Sequence, residues 1–76
     1  MIEESVKQHG SIEGRTRSIQ RNPNGWGGDT TLTVDRIEAT GEVAHITMDF
    51  NGVRASGVDI EELRRFKALL NSFDCI

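Results

Sequence analysis

Asn51-Gly52 restricts the fold of this chain more than any other feature. The pair suits both φ > 0 positions of a type I′ turn, and alternating stretches flank it on either side. A two-residue loop allows one register. Phe50 falls opposite Val53, Met48 opposite Ala55 and Ile46 opposite Gly57, with Asp49 opposite Arg54 and Thr47 opposite Ser56 on the other face. Successive strand residues point to opposite sides, so Ala44, Ile46, Met48 and Phe50 form an apolar face and the remaining pairs a polar one.

A helix should follow. Asp59 occupies an N-cap position and Glu62 stands three residues on, the pattern of a capping box with Asp in place of Ser or Thr. Val58 and Leu63 are spaced for a hydrophobic staple. Ile60, Leu63, Phe66, Leu70 and Phe73 then recur at helical intervals, with Leu69 widening the stripe. Glu61 and Arg65 form an i,i+4 pair on the wet side.

Upstream, Ile2 and Val6 stand four apart, as do Glu3 and Lys7, with Gly10 behind them. Residues 1–10 therefore read as a short N-terminal helix closed by a C′ glycine, or as a tail. From Ser11 to Gln20 the chain alternates with few apolar residues, the pattern of a charged edge strand, and Gly14 marks a bulge in it. Arg21–Asp29 is the main loop, with Pro23-Asn24-Gly25 supplying turn chemistry. Thr30–Asp35 is a β-branched strand whose alternation slips at Asp35-Arg36-Ile37, a β-bulge or the strand's end. The expected fold is α+β. A four-stranded antiparallel meander spans residues 11–58, a C-terminal helix over residues 59–73 packs on one face (ββββα), and the whole forms a single domain of residues 1–76.

Size and composition narrow the rest. A chain of 76 residues buries only about 60% of its unfolded surface, so its own core is marginal. Cys75 is the only cysteine, so neither a disulfide nor a zinc framework can reinforce the fold. Association into a homodimer or higher oligomer is the remaining common remedy. A lone thiol and the acidic start Met1-Ile2-Glu3-Glu4 point to a cytoplasmic protein without a signal peptide. No apolar run reaches the length of a membrane span.

Candidate binding residues cluster near the main loop. Trp26 lies among glycines, where it can stack on a flat ligand or fold back onto the core, and Asn24 shares that loop. Arg15, Arg17 and Arg21 form the one basic cluster, and strand alternation projects Arg15 and Arg17 from a single face. Four strands, then the capped junction Val53–Leu70, are similar in topology to a known family of single-stranded DNA-binding proteins, which implies nucleic-acid binding through the open sheet face. Glu13, Asp29, Asp35, Glu38 and Asp49 stand where that family carries a broad basic sheet, and the net charge is −3.

No catalytic or metal-binding set emerges. His45 lies beside Thr47 and Asp49 on the polar face without a nucleophile for which it would be the base, and the paired carboxylates are sequence neighbours that a helix turns apart. No cofactor is implied. The sequence points to a non-catalytic binding protein that occupies a surface of a larger protein partner, as small inhibitors and regulators of phages and mobile elements do. Single-stranded nucleic acid through the open sheet face is the alternative, followed by a small anionic or nucleotide-like ligand at the Gly/Trp loop.

Overall fold

The computed structural model describes residues 2–20, 29–50 and 52–76. Strands β1 (Ile2–His9), β2 (Ile12–Ile19), β3 (Thr30–Ile37), β4 (Val43–Phe50) and β5 (Val53–Ser56) precede one helix, α1 (Ile60–Asn71). Each strand pairs antiparallel with the next in sequence, giving a five-stranded meander in the order β1-β2-β3-β4-β5. The fold is α+β, with one strand more than the sequence reading supplies.

That extra strand corrects the reading of residues 1–10 as a short helix or tail. β1 pairs with β2 along its whole length, from Ile2 opposite Ile19 to His9 opposite Ile12. The spacing of four that suggested a helix is also even, so Ile2 and Val6 share a face in a strand as well. Gly10-Ser11 is a two-residue hairpin loop, and Gly10 takes φ 60 as its first residue. A two-turn helix would have had little to hold it, whereas the strand gains a full ladder.

Two further expectations change with it. β2 is an interior strand, because β1 takes the edge. Gly14 marks no bulge: the registers of β1–β2 and β2–β3 run through it without a shift. A β-carbon there would stand 2.8 Å from Asp35 Oδ1, so the small residue makes room for that carboxylate on the neighbouring strand. The bulge comes at Asp35/Arg36, where the alternation slips in the sequence. Asp35 lies opposite His45 and Arg36 opposite Val43, which leaves Ala44 as the additional residue on β4.

The β4–β5 hairpin has the expected register over four pairs, from Thr47 opposite Ser56 to Phe50 opposite Val53. Asn51 lies outside the described residues, and Gly52 has φ 75. The ladder stops before the expected Ile46–Gly57 pair; instead the Val58 N–H donates to the Ile46 carbonyl at 3.0 Å. Asp59 then caps α1, its carboxylate accepting from the Glu61 N–H at 3.0 Å. Glu62 does not turn back to complete the box but pairs with Arg65 at 2.6 Å. Glu61 likewise takes Arg64 at 2.5 Å, so two i,i+3 pairs replace the expected Glu61–Arg65 pair. At the far end the Ser72 hydroxyl donates to the Leu69 carbonyl at 2.6 Å.

Packing on the helix side is sparse. Ile46, 1% exposed, is the one buried apolar side chain among the described residues, and no residue of α1 is buried. Leu63 and Phe66 stand over Met48 and Phe50 across an open apolar cleft rather than closing onto them.

Candidate binding surface

Strand registers sort the side chains onto two faces. Leu32 lies opposite Met48 and Val34 opposite Ile46, which places them on the side of the sheet that carries α1. Arg17 lies opposite Leu32 and Arg15 opposite Val34, so both arginines belong to this helix-side face. They project from one face, as strand alternation requires, but it is not the open one.

The new strand meets them with a carboxylate. Glu4 sits opposite Arg17 and next but one to Val6, which lies opposite Arg15. Its two oxygens divide between the arginines: Arg15 Nη1 donates to Oε1 at 3.0 Å and Arg17 Nε to Oε2 at 2.9 Å. Arg15 Nη2 also donates to Glu13 at 3.2 Å, while its Nε is shielded from solvent and has no acceptor among the described residues. Much of the charge that would attract a phosphate chain is thereby met within the fold. These pairs are substantially exposed, so each contributes no more than about 1 kcal/mol to stability.

Trp26, Arg21 and Asn24 lie outside the described residues. The same holds for the Gly/Trp loop as a site for an anionic ligand.

The open face carries a row of hydroxyls across all five strands. Ser5, Thr16, Thr33, Thr47 and Ser56 lie opposite one another in turn. Thr16 and Thr33 share a hydrogen bond of 2.9 Å between their hydroxyls. His45 Nδ1 is 3.4 Å from the Thr47 hydroxyl and 3.6 Å from Asp35 Oδ2. Both neighbours approach the same ring nitrogen, whereas a nucleophile–base–carboxylate relay uses the two nitrogens separately. Among the described residues, no three His, Cys, Asp or Glu side chains converge as a metal site would require.

The helix-side face is apolar over a wide area. Ile2 and Ile19 lie opposite each other at one end of the sheet, and Phe50 and Val53 form a pair on the β4–β5 side. All four are exposed, together with Phe66, Leu69 and Phe73 of the C-terminal segment. Leu69 is 61% and Phe73 60% exposed. Between sheet and helix runs a cleft of about 470 Å³ lined by Thr30, Thr31, Leu32, Met48, Phe50, Leu63 and Phe66.

No family model, curated protein or solved structure matches this chain. Among the described residues, no helix is long and apolar enough to cross a membrane.

The sequence foreshadowed part of this surface in the widening of the helical stripe by Leu69 and Phe73. It concealed the role of Glu4, because that pairing appears only once Gly10-Ser11 is read as a hairpin loop. The residue numbers of every β1–β2 pair then add to a constant, and Glu4 falls opposite Arg17.

Proposed function

We propose that this chain is a non-catalytic binding protein that works by covering a surface of another protein, in the manner of a small inhibitor or regulator. The observation that carries this reading is the exposed apolar helix-side face. Soluble domains rarely leave large apolar patches uncovered unless a partner meets them. The chemistry of that face suits protein better than nucleic acid: aromatic and aliphatic side chains dominate it, and its Arg15 and Arg17 are neutralised by Glu4 and Glu13. The open face offers a phosphate chain little, since Glu3, Asp35 and Asp49 are interleaved there with Lys7 and Arg54.

Two measurements test this. Affinity capture from the native host with the wild-type chain and with Leu69→Glu as baits should retain a protein on the first and lose it on the second. Fluorescence anisotropy with labelled single-stranded DNA and RNA, at about 50 and 200 mM salt, should show weak binding that falls further with salt. Submicromolar oligonucleotide binding at the higher salt would overturn the protein-binding reading.

A further inference from the structure

The chain has more surface than a self-sufficient fold of its size. Its accessible area is 6215 Å² at 8.4 kDa. A folded monomer of that mass is expected to expose about 4,600 Å², so roughly 1,600 Å² is in excess. The radius of gyration, 13.8 Å, exceeds the roughly 11.4 Å of a compact domain of this length. Obligate homodimers bury 2,000–5,000 Å² in total, or about 1,000–2,500 Å² per partner, and the excess falls within that range.

We infer that in the isolated protein the occupant of the helix-side face is a second copy of this chain, docked about a two-fold axis so that Leu69 and Phe73 of each C-terminal segment fill the cleft of the other over Leu32, Met48 and Phe50. The inference rests on the helix-side face being a protein-contact surface, and it names the partner.

Three observations favour a second copy over an unrelated protein. The face is self-complementary, with an apolar ridge and an apolar cleft side by side, as an isologous contact requires. With one buried apolar side chain among the described residues, the fold needs permanent cover, and a further copy is present wherever the chain is made. On that face Arg15 and Arg17 pair with Glu4 and Glu13, which lowers the repulsion between two copies. A larger partner that uses this face must displace the second copy, so partner binding and self-association compete.

Sedimentation equilibrium of the wild type, Leu69→Ala and Ser18→Glu, over a hundredfold range of concentration, tests the inference. Leu69 is exposed within its own chain, so its truncation leaves the protomer's internal packing intact; Ser18 projects from the open face and serves as the control. The expected result is a wild-type mass of twice 8.4 kDa, a dissociation constant raised at least tenfold by Leu69→Ala, and no change with Ser18→Glu. A dimer indifferent to Leu69→Ala would overturn the docking face. A monomer at every concentration would overturn the second copy as occupant, and binding of an apolar dye then separates two outcomes. Dye bound by the monomer leaves the protein-contact reading standing; dye excluded by a stable monomer removes both.

Discussion

Glycine serves two different purposes in this sheet, and substitutions separate them. Gly10 and Gly52 occupy hairpin loops with φ 60 and φ 75, a region that a β-branched residue enters only with strain. Gly10→Val and Gly52→Val should each cost roughly 1–3 kcal/mol, read as a lowered denaturant midpoint. A midpoint unchanged from wild type would show that the loop does not need the left-handed conformation. Gly14 instead makes space for Asp35, whose carboxylate oxygen can swing aside, so Gly14→Ala should cost less than either loop substitution. At the helix start, Asp59→Ala removes the acceptor of the Glu61 N–H and should cost about 1 kcal/mol, measured by the same denaturation. The turn at Gly52 and the cap at Asp59 were legible in the sequence, because that chemistry depends on residues adjacent in the chain, whereas Gly10 and Gly14 take their roles from the pairing of β1 and β3 with β2. The partners of Glu61 and Glu62 were not legible, since i,i+3 and i,i+4 arginines stand equally within reach on a helix surface.

At the scale of elements, β1 is where the sequence was hardest to read. Its residues are charged and sparsely apolar, and a spacing of four fits both periodicities. Pairing with β2 decides the matter, since the ladder and the Glu4 bridges to Arg15 and Arg17 exist only in the strand. Deletion of residues 1–10 should therefore lower the denaturant midpoint and reduce the m-value, because less surface is exposed on unfolding. An unaltered unfolding curve would return those residues to the status of a tail. The β4–β5 hairpin and α1 were far more legible. Their two-residue loop, alternation and N-cap all specify the same structure, so local preference and final fold agree. The bulge at Asp35/Arg36 was visible as a slip in alternation, but the residue it leaves over, Ala44, is on the partner strand and follows only from the register.

For the molecule as a whole, the candidate surface was legible in its ingredients and hidden in its arrangement. A stripe that includes Leu69 and Phe73 announces a helix with more apolar surface than one sheet needs. That Arg15 and Arg17 share its side of the sheet, bridged by Glu4, depends on a strand the sequence did not disclose. Among the described residues the fold places its polar hydroxyl row outward and leaves its apolar side incompletely covered, which is the basis for proposing cover by another chain. Stability that depends on association rises with protein concentration, because the bound state is favoured by mass action. The most direct measurement is the thermal unfolding midpoint of the wild-type chain over a hundredfold range of concentration. The midpoint should climb steadily with concentration, and the climb should diminish in Leu69→Ala; melting curves that superimpose at every concentration would contradict a fold completed by a second chain.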